Sequence, residues 1–237
     1  MINHHAEGLG PAADHGPFSL EDFERACVRV AVRRFGAKDI IYAPGDPDGR
    51  IYFLLSGTVR LYKIYGDCKE ATVALLKDGD IFGDLSLRET AHQNEFAEAI
   101  TDARVAVVRN SALREAARHR PELTLKLFHS LSERLRQSEA TIESLLDREV
   151  SARLASLLSN LSYRFGEPEG SRMVLKVRLT HMDLANMIAS TREAVSKEMS
   201  EFQRAGLIEV RNRRISVTPQ LAEERPGEPL PNPGAAA

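Results

Sequence analysis

Between residues 29 and 110 the chain never runs far without meeting a turn. The runs RVAVRRF, DIIYAPGD, RIYFLLSGTVRLYKI, EATVALLKDGDIFGDL and FAEAITDARVAVVR are rich in β-branched and aromatic residues. They are broken by PGDPDG, SG, YGD, KDGD and TDA. Short strands punctuated at intervals of roughly 8–12 residues build a sandwich or roll. No helix of useful length fits between them, which argues against a parallel α/β sheet.

The flanking segments are helical. Before the strands, residues 18–27 read as a short helix with Ser19 as its cap. After them, Ser111 is expected to cap a short piece that ends before Pro121. Pro121 suits the first turn of a new helix, with Glu122 complementing the dipole. That helix should reach about Asp147, ~27 residues or ~40 Å. Leu127, Leu131, Arg134, Ser138, Thr141 and Leu145 recur along it every three or four residues, as in a coiled-coil seam, with Leu135, Ile142 and Leu146 beside them. This spacing predicts a two-fold helix pair across a dimer, with apolar ends and a polar middle.

The last third has a different order. SARLASLLSNLSYRF places Leu154, Leu157, Leu158 and Leu161 on one helical face and ends at Gly166. EPEGS reads as a turn and RMVLKVRL as a strand. Two short helices come next in LTHMDLANMIASTREAVSKEMSEFQRAGLIEV, then a hairpin with Asn212 and Arg213 at or near its turn. Helix, strand, helix, turn, helix and hairpin make a winged helix-turn-helix. The expected fold is α+β: a leader and short helix over 1–28, a β-roll over 29–120, a dimerisation helix over 121–148, a winged helix-turn-helix over 149–218, and a disordered tail over 219–237.

The second of the two short helices carries the candidate chemistry. Val195, Met199 and Phe202 point to a core. Arg192, Glu193, Ser196, Lys197 and Ser200 face outward near the helix N-terminus, the end that enters a major groove. Arginine can bond guanine O6 and N7, glutamate can accept from cytosine N4, and lysine can reach guanine or phosphate. Ser190 or Thr191 would cap the helix and aim its positive end at a phosphate. A plainer reading stands beside this one: Ser190-Thr191-Arg192-Glu193 also matches a capping box, with Glu193 folded back. Arg211, Arg213 and Arg214 would make the wing a phosphate contact.

Charge supports that division. Net charge is −2 overall. Residues 151–217 hold 11 Lys and Arg against 7 Asp and Glu, a net of +4; residues 1–150 carry −4 and residues 218–237 carry −2. A modest basic excess on a small unit suits phosphate binding. The first 19 residues lack a basic segment followed by an apolar core and read as a loose leader rather than a secretory signal. Apolar runs such as IYFLL are far too short to cross a membrane. Cys27 and Cys68 are too few for a disulfide framework, and a cytoplasmic protein with two reduced thiols is expected.

FLLSGTVRLYK, LKDGDIFGDLSL, the helix from RPEL and the LTHMDLANMIASTREAVSKEMSEFQRAGLIEV segment together resemble the Crp/Fnr family of bacterial transcription regulators, over roughly residues 30–217. The resemblance implies a cyclic-nucleotide-binding-type β-roll, a dimerisation helix and a winged helix-turn-helix. It implies a homodimer on a palindromic double-stranded DNA operator of TGT/ACA type, transcription regulation as an activator or a repressor, and RNA polymerase as a partner. Arg192, Glu193 and Lys197 would read bases, with Thr191, Ser196 and Arg213 in the DNA-binding set. Members often carry Arg where Lys197 stands, so the exact bases are open.

The β-roll would then sense a small effector. By resemblance, Phe82, Gly83, Asp84, Leu85, Asn94, Glu95, Arg134, Ser138 and Glu139 form the effector set. In cyclic-AMP-binding members an Arg-Ser pair holds the phosphate, and those positions are Asn94 and Glu95 here. A cation has become a neutral amide with an anion beside it, so weak or no cyclic-nucleotide binding is expected. RIYFLLSGTVRLYKIY and the long helix resemble, more narrowly, the cyanobacterial global nitrogen regulators, which sense 2-oxoglutarate. Arg134 and Glu139 match their ligand residues, whereas a second ligand arginine falls at Glu95. Three options remain open: a different effector, 2-oxoglutarate held by other residues, or no effector, with Glu95 paired to Arg134.

No cofactor is expected. An iron–sulfur sensor needs about four cysteines, and haem needs an axial ligand for which His92, His119 and His129 are no more than isolated histidines. A metal-binding cupin enzyme would need clustered histidines on neighbouring strands, and the strand region has no H-x-H. No Ser-His or Cys-His constellation points to catalysis, so an enzyme is not expected. The remaining alternative is an effector-binding β-roll module without DNA-reading activity.

Overall fold

The computed structural model describes residues 20–26, 28–46, 49–66, 68–85 and 92–222. The leader, the Ser19 cap and Cys27 lie outside these residues, as does the tail beyond 222.

The run IYFLL is apolar throughout because its strand is covered on both sides. Strands β1 (Ala31–Phe35), β2 (Ile40–Tyr42), β3 (Arg50–Ser56), β4 (Val59–Tyr65), β5 (Lys69–Leu76), β6 (Ile81–Gly83), β7 (Phe96–Ala99) and β8 (Ala103–Arg109) form two antiparallel sheets, ordered β1-β8-β3-β6 and β2-β7-β4-β5. Successive side chains of a strand point to opposite faces. Tyr52 and Leu54 of β3, with Val105 and Val107 of β8, enter the core between the sheets beside Val59, Leu61, Phe82 and Ala97. Ile51, Phe53, Ala106 and Val108 face the other way, onto helices.

Those helices are α1 (Leu20–Arg25), α2 (Asn110–His119) and the first turns of α3 (Pro121–Leu145). They contribute Phe23, Leu113, Ala116, Leu123 and Leu127 to this outer core. Phe23 packs edge-on to Phe53 with ring centroids 4.4 Å apart. Lys126 Nζ donates to both Asp22 carboxylate oxygens at 2.8 and 2.9 Å, tying α1 to α3. The expected cap at Ser111 is not used: α2 begins at Asn110, and Arg109 caps it without a side-chain hydrogen bond.

Helix α3 has 25 residues and Pro at its start, so its length at 1.5 Å per residue is about 37 Å. Its exposed apolar face differs from the expected seam. Leu127 is buried in its own domain and Arg134 faces the β-roll, whereas Phe128, Leu135 and Ile142 are 70, 61 and 62% exposed. Phe128, Leu135 and Ile142 alternate with Leu131, Ser138 and Leu145 in a strict seven-residue repeat, the a and d positions of a coiled coil. Spacing alone merges the face turned to the β-roll with the face turned away from it.

The C-terminal unit contains α4 (Val150–Phe165), β9 (Gly166–Glu169), β10 (Arg172–Leu175), α5 (His181–Met187), α6 (Arg192–Arg204), β11 (Ile208–Arg211), β12 (Arg214–Val217) and α7 (Pro219–Ala222). Its sheet runs β11-β12-β10-β9. Two expectations are corrected. EPEGS is mostly strand, because Pro168 sits on the edge strand β9, where its missing N–H costs no ladder bond. The tail does not begin at 219: Pro219–Ala222 is a helical turn, and Leu221, 3% exposed, joins the core of Leu154, Leu158, Leu184, Val195 and Met199.

Glycine is required at the β3–β4 connection, where the chain crosses from one sheet to the other. Gly57 has φ +103°, and a Cβ there would lie 2.4 Å from the Asp102 carbonyl oxygen. Gly57→Ala therefore meets backbone strain and a backbone clash together. It is expected to destabilise the β-roll by about 2 kcal/mol or more, read as a lower melting temperature by calorimetry. An unchanged melting temperature would refute the requirement.

Candidate nucleic-acid interface and sensor cavity

Helix α5 starts with a complete capping box. The Thr180 hydroxyl accepts from the Asp183 N–H at 3.1 Å, and the Thr180 N–H donates to the Asp183 carboxylate at 2.7 Å. The helix closes at Ile188. Ala189 then takes φ +49°, a left-handed value unusual for alanine, and the chain turns into α6. Buried Leu184, Ala185, Ile188, Val195 and Met199 clamp the two helices. Phe202 packs against the same core, partly buried.

Thr191 caps α6, its Oγ1 accepting from the Ala194 N–H at 3.2 Å. That register excludes the capping-box reading of Glu193. The capping position is Thr191 and the third helical residue is Ala194, so no box can form, and Ser190 is not the cap. Arg192, Glu193 and Lys197 are exposed on one side of the first turns. Ser196 is drawn in: its hydroxyl donates to the Arg192 carbonyl at 2.8 Å and meets His181 Nδ1 at 2.8 Å. His181 thus fastens the start of α5 to α6, a link that sequence spacing does not reveal.

Strands β11 and β12 form the wing. Asn212 and Arg213 take φ +51° and +62°, the paired left-handed values of a tight hairpin turn. Arg211 pairs with Glu209 on its own strand. Arg213 and Arg214 are exposed at the tip. Arg178, also exposed just ahead of α5, adds a cation that sequence analysis did not single out.

The second site lies between the β-roll and α3. A cavity of about 570 Å³ is lined by Gly83, Asp84, Leu85, Asn94, Glu95, Arg134 and Ser138, together with Lys63, Val73, His92, Gln93, Leu131 and Leu135. It fits a small ligand in size. Two expected members stand apart. Phe82 is fully buried, stacked with Tyr42 and Tyr52 in the β-roll core. Glu139 is exposed and lines an adjoining cleft against the C-terminal unit, which shares Val73, Arg134 and Ser138 with the cavity. Gly83 holds φ +92°, and a Cβ there would come within 2.9 Å of the Tyr52 ring, so only glycine fits the cavity floor.

The Arg134 guanidinium in the cavity is paired within the chain. Arg134 Nη2 donates to Glu95 Oε1 at 3.4 Å, with the Glu95 side chain 10% exposed. A carboxylate this buried needs a cation. Burial pushes the nearby Tyr42 phenol far above its ordinary value; Glu95 pushes it further, and Arg134 pulls the other way. No cluster of three or more His, Cys, Asp or Glu side chains suited to a metal occurs among the described residues.

Both regions of the chain match known domain families. Residues 32–120 match a family model described as a cyclic nucleotide-binding domain, and residues 152–221 match a Crp-like helix-turn-helix domain. A global nitrogen regulator from Synechococcus elongatus is 34% identical over 85% of this chain and 86% of its own length. A CRP-like cAMP-activated global transcriptional regulator from Mycobacterium tuberculosis is 29% identical over 75% of this chain and 80% of its own. Among solved structures, a CRP/FNR-family transcriptional regulator from Thermus thermophilus is 31% identical, with a TM-score of 0.67 over 82% of this chain and all of the other.

The Thr191 cap gives a direct test of the helix-turn-helix. Thr191→Ala leaves an amide at the start of α6 without its acceptor. A loss of about 1 kcal/mol is expected, visible as a lower melting temperature of the C-terminal unit. No change would mean that the cap contributes nothing to the stability of α6.

Proposed function

Because the chain belongs to the Crp/Fnr family of DNA-binding transcription regulators, we propose that it reads a palindromic operator as a homodimer, with α6 in the major groove and the wing on the flanking phosphate backbone. One observation carries this reading: Arg192, Glu193 and Lys197 are exposed together at the capped N-terminal end of α6, while its other face is locked into the core. The exposed repeat of Phe128, Leu131, Leu135, Ile142 and Leu145 on α3 supplies the apolar seam for the partner copy. Two symmetric α6 helices would then meet half-sites about one helical turn apart. Binding to RNA polymerase and residence in the cytoplasm accompany this reading. No helix among the described residues is long and apolar enough to cross a membrane.

The sensor reading starts from Arg134. An anionic ligand in the cavity needs a cation; of the Lys and Arg side chains described in its lining, Arg134 is already held by Glu95, and Lys63 is exposed to solvent. We infer that the cavity does not bind cyclic nucleotides and that the Glu95–Arg134 pair fills the role of a bound anion. The β-roll is thereby held in one state without an effector.

Two experiments test these proposals. Arg192→Ala should abolish preference for the specific site in a random-oligonucleotide selection while sparing dimerisation. Arg213→Ala should instead weaken binding to all sequences alike and reduce the salt slope by about 1. If Arg192→Ala selects the same sequence as the parent, the reader assignment fails. A chain that binds no DNA at any salt would favour an effector module without DNA-reading activity.

For the cavity, cyclic AMP and 2-oxoglutarate should leave the melting temperature of the parent unchanged. Glu95→Gln frees Arg134, and 2-oxoglutarate should then raise the melting temperature. A shift of the parent chain by cyclic AMP would overturn the self-paired cavity.

A further inference from the structure

The C-terminal unit does not merely continue from α3; it is fastened to the β-roll at a second place. The turn between β5 and β6, residues 77–80, is held rigidly from within. Asp80 Oδ2 accepts the Lys77 N–H at 2.9 Å, the Gly79 N–H donates to the Leu54 carbonyl at 2.7 Å, and the Leu54 N–H donates to the Asp80 carbonyl at 2.9 Å. Onto this turn closes the last turn of α4. Arg164 Nη2 donates to Asp80 Oδ2 at 2.9 Å and Nη1 donates to the Leu75 carbonyl at 2.9 Å. In the reverse direction, Lys77 Nζ donates to the Arg164 carbonyl at 3.0 Å. The Arg164 side chain is 17% exposed and Asp80 29%. Burial pulls the Arg164 guanidinium below its ordinary value, and the charges of Asp80 and of Glu133 on α3 counter that pull. Leu75 extends the contact by joining the core of the C-terminal unit, with Ile100 packed against it.

This clasp connects the two sites. On one side the turn runs through β6 into Gly83, Asp84 and Leu85 of the cavity wall. On the other, α4 packs on α6. The C-terminal unit touches the β-roll through α4 and α5, whereas Arg192, Glu193, Lys197 and Arg213 remain exposed. The clasped state therefore leaves the reading face open.

We propose that Arg164 is a positioning residue: by clasping Asp80 and the Leu75 carbonyl, it fixes the angle at which the β-roll presents the recognition helix, and so makes both half-sites reachable at once. The inference rests on the DNA-binding reading above. When two linked units bind one duplex, the second contact depends on effective concentration, which falls if the unit swings freely.

The test uses the full chain with Arg164→Met, which keeps an apolar stem, and Asp80→Asn, which keeps an acceptor for the Lys77 N–H. Each is measured on the palindrome, on a duplex with one half-site scrambled, and by calorimetry. Either variant should weaken palindrome binding about tenfold and single half-site binding less than twofold, with the double variant no worse than either single one. Asp80→Asn, on the β-roll, should also lower the melting temperature of the C-terminal unit. Equal losses on both duplexes would assign Arg164 a role inside its own unit and overturn the proposal, as would unchanged palindrome affinity. If the parent binds neither duplex, the DNA-binding reading fails instead. The calorimetric coupling then decides alone whether the clasp joins the two units: a C-terminal unit indifferent to Asp80→Asn overturns it.

Discussion

The inner strands β3 and β8 of the sheet β1-β8-β3-β6 are buried on both faces, and the rest of the molecule is arranged by that constraint. One face closes the roll. The other must be covered by something apolar, and α1, α2 and the start of α3 cover it through Phe23, Leu113, Leu123 and Leu127. Burying each large side chain contributes about 1.5–3 kcal/mol, so the first turns of α3 have little freedom. Everything beyond them is then set by geometry. A helix fixed at its start projects its next turns past the cavity mouth, where Arg134 meets Glu95, and turns an apolar repeat outward.

How much of this can be read from the residues depends on how far apart the interacting groups lie. Local signals are legible. Turn residues mark the hairpins, Pro121 marks the start of α3, and the alternation of small and charged residues after Ile188 marks the helix-turn-helix. The run IYFLL announces burial, though not that two different cores receive its alternate side chains. Signals that need a partner are not legible. Three-and-four spacing on α3 cannot say which face its own domain takes, so it draws Leu127 and Arg134 into the seam and passes over Phe128. Pro- and Gly-rich composition after 218 hides one helical turn, because a single leucine in the right place is enough to fill a core.

The charged pairs are the least legible. Arg60 sits in a strand that reads as alternating, yet it is 7% exposed and answered by Glu70 at 2.9 Å and Glu98 at 2.6 Å. Its guanidinium also lies 4.2 Å from the Tyr62 ring centre. Arg164 and Asp80 are 84 residues apart. Neither pairing has a periodic signature. The Glu95–Arg134 pair is legible only as one of three options, because resemblance supplies the positions and elementary charge matching supplies the pairing.

Net charge and directed bonds play separate parts in how the two units meet. Residues 151–217 carry +4 and residues 1–150 carry −4, so they attract each other at any orientation, and that attraction is screened within about 8 Å at physiological salt. Attraction of this kind brings surfaces together without choosing an angle. Asp80 and Arg164 match the signs of their own units but add direction: a guanidinium shared between a carboxylate and a backbone carbonyl accepts only a narrow range of approach. Because the pair is partly buried, added salt weakens it less than it weakens contacts between an exposed cationic face and phosphates. The presentation angle of α6 should therefore persist at ionic strengths where its grip on DNA has already loosened, which separates the part of recognition set by the protein's own packing from the part set by its charge.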